Sequence, residues 1–127
     1  NKLKKILLWT KFFGTYWDTG CMKDCPSKNC VFTYDRNSLE ESDALWFHMQ
    51  DTDASDIPAK HPWHQRWIMH NLEPPYFTQS RRQWLFGQLA DYNNMFNMTS
   101  SHRLDSDIPK PYGGYRLRQT AKSATLT

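Results

Sequence analysis

Lys5-Ile6-Leu7-Leu8-Trp9-Thr10 is the stretch that decides the architecture. A short apolar run bounded by lysines, with Gly14 closing its neighbourhood, reads as a buried strand that opens an α/β unit. Cys30-Val31-Phe32-Thr33-Tyr34 reads as a second strand because β-branched and aromatic residues suit a pleated surface. Asp43-Ala44-Leu45-Trp46-Phe47-His48 is a third, mostly buried, and Trp67-Ile68-Met69 a fourth that Pro74-Pro75 stops. Met95-Phe96-Asn97-Met98 is expected to be the last strand.

The intervening segments differ in kind. Gly20, Pro26 and the cysteines make Thr15 to Lys28 an irregular loop. Asp35-Arg36-Asn37 turns the chain and Ser38-Leu39-Glu40-Glu41 begins a brief helix. Trp84, Leu85 and Leu89 stand at helical spacing, which predicts a helix over Arg81 to Leu89. Strands alternating with helices and long loops imply an α/β fold with a Rossmann-like open parallel sheet. Residues 116–127 are charged and small, as expected of a linker or a ragged end.

With 127 residues there is room for one domain and an independent core. No apolar run approaches the 18 or so residues of a membrane-spanning helix. The start, Asn1-Lys2-Leu3-Lys4-Lys5 before only Ile6-Leu7-Leu8-Trp9, is no signal peptide and reads as the interior of a longer polypeptide. Sixteen basic against thirteen acidic residues leave a net charge of +3, too small and scattered for a nucleic-acid surface. Six Trp, six Tyr and seven Phe exceed the needs of a small core, and aromatic faces suit the C–H surfaces of sugars.

Cys21, Cys25 and Cys30 are an odd number of disulfide candidates, so one is left free or pairs outside this stretch. A zinc module using His61, His64 and His70 is the rival reading, but the spacings fit no strong zinc template. Asn97-Met98-Thr99 is an N-glycosylation triplet, in keeping with an oxidising lumen.

In open parallel sheets function gathers in loops past the carboxyl ends of the strands. Two polar loops follow apolar strands here: His70 to Pro75, and Thr99 to Gly113. Glu73 is the first candidate for chemistry, because two following prolines would hold its carboxylate in one direction. A carboxylate so placed suits a base that removes a proton from an attacking hydroxyl.

Three blocks resemble the α1,3-fucosyltransferases of glycosyltransferase family 10. Asn29-Cys30-Val31-Phe32-Thr33-Tyr34-Asp35-Arg36 is similar to the family's C-x-x-T-x-D-R block. His64 to Pro75 is similar to its Q-x-W-x-x-x-N-L-E-S-P motif, with Pro74 where serine is usual. Phe96 to Gly113 resembles its FN-W-T-x-S-Y-R-R-D-S-D-I-x-x-P-Y-G signature, with Met98 for Trp, His102 for Tyr and Leu104 for the second Arg. In order, these span about Cys21 to Gly113.

That resemblance implies the acceptor-side, amino-terminal half of a two-domain GT-B glycosyltransferase over residues 1–115, the donor-binding domain being absent. It implies fucose transfer from GDP-fucose to GlcNAc of a glycoprotein N-glycan by inverting displacement, with Glu73 as catalytic base and no metal or other cofactor. Asp105-Ser106-Asp107 has the spelling of a metal motif, but its family context argues against that role. Gln65, Trp67, Arg103, Asp105, Asp107 and Tyr112 are the implied substrate-binding residues, with core packing the competing reading for Trp67 and loop fixing for Asp105 and Asp107; Asn97 is the glycosylation candidate by its triplet. The cysteines are expected to staple the domain, within itself or to the absent one, in a pattern most like the branch acting on the innermost N-glycan GlcNAc. The implied setting is the Golgi lumen, with a membrane reached only through an absent amino-terminal anchor. Alone, the chain is expected to be inactive. A non-catalytic carbohydrate-binding module is the alternative that the aromatic excess also fits.

Overall fold

The computed structural model describes residues 2–77 and 89–114. Strands β1 (Lys4–Leu8), β2 (Cys30–Thr33), β3 (Ala44–His48), β4 (Arg66–Asn71), β5 (Met98–Ser101) and β6 (Ile108–Pro109) form one sheet. Their order is β2-β1-β3-β4-β5-β6, and each neighbouring pair is parallel. This is the Rossmann-like open sheet the strand pattern implied. From β1 the chain steps outward to β2 and then returns across to β3, so the direction of winding reverses between β1 and β3. A crevice at the carboxyl ends of those two strands is where such sheets bind ligands.

Register sorts the side chains into two faces. Leu7 lies beside Leu45, and Leu45 beside Trp67; one pleat further, Phe47 lies beside Met69. These five, with Trp9, make the main core, packed against Leu39, Met49, Ile57, Met95 and Phe96. The opposite face carries Leu8, Trp46 and Ile68 in one row and His48, His70 and Ser100 in the next. Apolar residues therefore run continuously along β3 and β4, as in a sheet covered on both sides.

Two boundaries differ from expectation. The last long strand begins at Met98 rather than Met95. Asn94 takes a positive φ of 59°, Met95 and Phe96 fold onto the core, and pairing starts only where Asn97 joins Trp67. There the Asn97 N–H donates to the Trp67 carbonyl (2.9 Å), and the Trp67 N–H donates to Asn97 Oδ1 (2.8 Å). The brief helix is a 3₁₀ turn at Arg36–Ser38, earlier in the chain than expected, because Asp35 caps it by accepting the Asn37 N–H. The helix expected over Arg81 to Leu89 lies outside the described residues, apart from Leu89, which opens a 3₁₀ turn to Tyr92.

Leu45 is wholly buried between Leu7 and Trp67. Leu45→Ala should lower the unfolding free energy by about 3 kcal/mol in urea denaturation. Leu104→Ala, at a residue 80 % exposed, should change it by no more than about 0.5 kcal/mol.

Candidate functional site

β4 ends at Asn71, and the Asn71 side chain shapes the turn into Glu73. Asn71 Oδ1 accepts the Glu73 N–H (2.9 Å), an Asx turn that bends the chain sharply off the sheet. The Tyr112 hydroxyl donates to the Leu72 carbonyl from a segment 40 residues away. Leu72 C=O and Glu73 N–H belong to the same planar peptide group. That group is thus held at both ends, by Tyr112 on its oxygen and Asn71 on its nitrogen. Pro74 then restricts the backbone of Glu73 itself. The half-buried Glu73 carboxylate consequently leaves a backbone fixed on both sides.

Leu72 also lines a cavity of about 310 Å³ on the second face of the sheet. Leu8, Trp46 and His70 supply its floor from β1, β3 and β4, and Phe12 and Trp17 come from the loop after β1. Phe12 lies 4.7 Å from both Trp17 and His48, ring centre to ring centre, and Trp17 meets His70 edge-on at 5.4 Å. The Trp46 indole N–H is buried with no partner among the described residues. The result is a mainly apolar, aromatic hollow at the carboxyl edge of the sheet, the usual composition of a small-ligand site and one suited to a sugar face.

A strained turn holds this loop in place. Phe12 and Thr15 exchange backbone hydrogen bonds of 2.8 and 3.0 Å, and both residues between them have positive φ, 47° at Phe13 and 77° at Gly14. Phe13 carries a side chain there, which costs about 1–2 kcal/mol. Asp51 offsets that cost by accepting the N–H groups of Phe13 and Gly14, each at 2.7 Å. The same carboxylate pairs with Nδ1 of the buried His48. Loop, β3 and cavity wall are thereby joined through one aspartate.

His70 is 4 % exposed and its Nδ1 meets the Ser100 hydroxyl at 2.9 Å. Burial, reinforced by His48 and Lys110, pushes its pKa down to about 4. It stands neutral at physiological pH.

The expected substrate-binding residues divide into separate groups. Gln65 and Trp67 are 1 % and 2 % exposed and sit at the start of β4, the opposite end from Glu73. The Gln65 amide donates to the Leu39 and Ser42 carbonyls, and its oxygen accepts the Trp67 indole N–H. Their polar atoms are committed to the core rather than turned to a pocket. Asp107 accepts the N–H and hydroxyl of Thr99, so it shapes the loop between β5 and β6. Arg103 and Asp105 form an exposed two-pronged pair at 2.8 and 2.6 Å, which holds the Asp105 carboxyl below its ordinary range. Tyr112 alone among them reaches the Glu73 turn.

Of the remaining candidates, Asn97 is exposed while its amide oxygen serves Trp67. Cys25 and Cys30 are half-buried free thiols; the Cys21 side chain is not among those described. His61 stacks on Trp67 at 4.1 Å beside the start of β4, whereas His70 lies near its end, so these two do not converge on a common ion.

Residues 1–113 match the family model described as "Fucosyltransferase, N-terminal". The chain belongs to glycosyltransferase family 10. It is 35 % identical over 112 residues to dog and human proteins named 4-galactosyl-N-acetylglucosaminide 3-alpha-L-fucosyltransferase 9, covering 85 % of this chain and 29 % of each relative. It is 28 % identical over 120 residues to the Caenorhabditis elegans alpha-(1,3)-fucosyltransferase fut-5, covering 91 % of this chain and 30 % of that protein. The chain thus spans less than a third of the length of these relatives. Its open parallel sheet is consistent with the amino-terminal half of a GT-B glycosyltransferase.

Because folding lowers the pKa of His70 from 6.5 to about 4, the unfolded chain binds the extra proton first as pH falls. The stability from neutral His70 is complete above about pH 6.5 and is lost on the way down to 4. Urea midpoints measured from pH 7 to 4 should fall in the wild type and fall less in His70→Gln. Equal slopes would assign the acid sensitivity to other groups.

Proposed function

We propose that this chain is the acceptor side of an inverting α1,3-fucosyltransferase, with GDP-fucose bound by a donor domain in the rest of the polypeptide. The observation that carries this reading is the doubly held peptide before Glu73, next to an aromatic cavity, in a chain of this family. An acceptor sugar lays its apolar face on Trp17 and Trp46, with Asp18 and Lys110, which also line the cavity, available to its hydroxyls. Glu73 takes the proton from the attacking hydroxyl as that oxygen forms its bond to the anomeric carbon of fucose. The bond from that carbon to the phosphate oxygen breaks on the opposite side, and GDP departs with both bonding electrons. One displacement inverts the anomeric centre and needs no covalent intermediate.

Positive charge for the departing diphosphate is assigned to the donor domain, and no metal or other cofactor is invoked. The acceptor we favour is GlcNAc of a glycoprotein N-glycan, including the innermost residue. The names of the mammalian relatives favour a second reading, in which the GlcNAc already carries a 4-linked galactose. Among the described residues no helix is long and apolar enough to cross a membrane. We place the enzyme in the Golgi lumen, anchored by a segment preceding this one.

Fucose transfer from GDP-fucose, read by mass spectrometry, tests this reading on the full-length polypeptide that carries the chain. Acceptors are a core N-glycan glycopeptide and a galactosyl-GlcNAc oligosaccharide. The wild type should modify one of them, and Glu73→Gln should lose about 10²–10⁴-fold in kcat. The 127-residue chain alone should transfer nothing. Near-normal activity in Glu73→Gln would reduce Glu73 to a turn residue, and a wholly inactive parent that still binds the glycan would make this a carbohydrate-binding module.

A further inference from the structure

Gln50 lies in the 3₁₀ turn Met49–Asp51 that continues from β3, next to the end of β4 because His48 and His70 are register partners. Its Nε2 donates to Asn71 Oδ1 at 3.1 Å, and that same oxygen accepts the Glu73 N–H at 2.9 Å. Its own Oε1 is buried with no partner among the described residues. A half-satisfied amide is a poor choice for stability, since an apolar side chain of the same length would leave nothing unpaired. The compensating gain is local and directional. Two donors converging on one oxygen fix which way the Asn71 carboxamide faces, and hence the nitrogen end of the Leu72–Glu73 peptide.

We propose that Gln50 is a positioning residue for the base: through Asn71 it holds the peptide plane from which the Glu73 side chain departs. This inference rests on Glu73 being the base of the proposed reaction. It adds a residue from the turn after β3 to a Glu73 turn otherwise built by β4 and Tyr112. Removing the donor takes one of two hydrogen bonds from the Asn71 oxygen, so the nitrogen end of the peptide is held less tightly while Tyr112 still holds its oxygen end. The base then samples directions away from the acceptor hydroxyl, and a displacement of the order of 1 Å at a reacting group slows chemistry by about 10²-fold.

The full-length polypeptide should be compared as wild type, Gln50→Met, Gln50→Glu and Glu73→Gln. Gln50→Met removes donor and orphan oxygen together; Gln50→Glu keeps the shape but, when ionised, has no donor. Both should lower kcat by about 10- to 100-fold and leave the acceptor KM within about twofold. Gln50→Met should have a Tm equal to or above the wild type, the reverse of what a merely structural residue would give. In the full-length polypeptide, amide exchange at Glu73 should quicken by about tenfold or more in Gln50→Met, an outcome independent of catalysis. Unchanged kcat in both variants, or a fall in kcat matched by a fall in Tm in Gln50→Met, would overturn the proposal. If Gln50→Met loses activity while Glu73→Gln keeps it, the assignment of the base fails and this inference falls with it; quickened exchange at Glu73 would still stand as a structural fact.

Discussion

A single peptide group, Leu72–Glu73, is the constraint on which the candidate site depends. Its oxygen is gripped by Tyr112 and its N–H by Asn71, so its plane cannot turn without breaking one of two hydrogen bonds, one of them from a distant part of the chain. Pro74 then limits the other side of Glu73 through the clash of its ring with the preceding backbone. A carboxylate on a surface loop ordinarily explores many directions. Here the loop is short, both flanking bonds are restrained, and only the side-chain torsions remain. Ordering of this kind is completed in folding and is not repeated at each encounter with substrate.

The sheet makes that restraint possible by bringing separate sequence blocks to one edge. All six strands run parallel, so each carboxyl end opens on the same side. The β1 loop brings Phe12 and Trp17, β3 brings Trp46 and His48, and β4 brings His70 with Leu72 just beyond it. Asp51 fastens the first of these to the second, at the point where the winding direction reverses. The left-handed backbone at Phe13 is stable because its N–H has a fixed acceptor. Folding accepts a strained turn there in return for a closed aromatic wall.

The strands were legible because their signal is local. Apolar runs at Lys5–Thr10, Asp43–His48 and Trp67–Met69 announce themselves whatever surrounds them, and each forms a strand. The restrained turn at Glu73 was legible through its prolines. The aromatic cavity was not, since its lining comes from residues scattered from Leu8 to Lys110, and only register brings them together. Gln65 and Trp67 admitted two readings, sugar recognition and core packing. Their types suit sugar recognition, yet alternation along β4 turns the Trp67 ring into the main core and the Gln65 amide onto buried carbonyls. The face each side chain occupies, which residue type does not encode, decided the matter. A two-residue strand such as β6, Ile108–Pro109, has too little pattern to be read at all.

The polar signature from Thr99 to Gly113 has a corresponding division of labour. Asp107 binds Thr99, Ser106 donates to the carbonyls of Arg103 and Ser101, and Tyr112 reaches Leu72. Most of its distinctive side chains are therefore occupied in building the loop and holding the Glu73 turn. What they leave unspent, Arg103 with Asp105, is exposed and already paired. Leu104, standing where the resemblance expects a second arginine, is 80 % exposed and makes no part of the core. Under the proposed function, discrimination among acceptors falls to the walls of the aromatic cavity. Those walls come chiefly from the loop after β1, whose conformation Asp51 sets. Under the proposed function, acceptor choice and proton removal are carried by separate hydrogen-bond systems: Asp51 with the loop, and Tyr112, Asn71 and Gln50 with Glu73. Sequence change in the first can alter which sugar enters while the second keeps the carboxylate aimed.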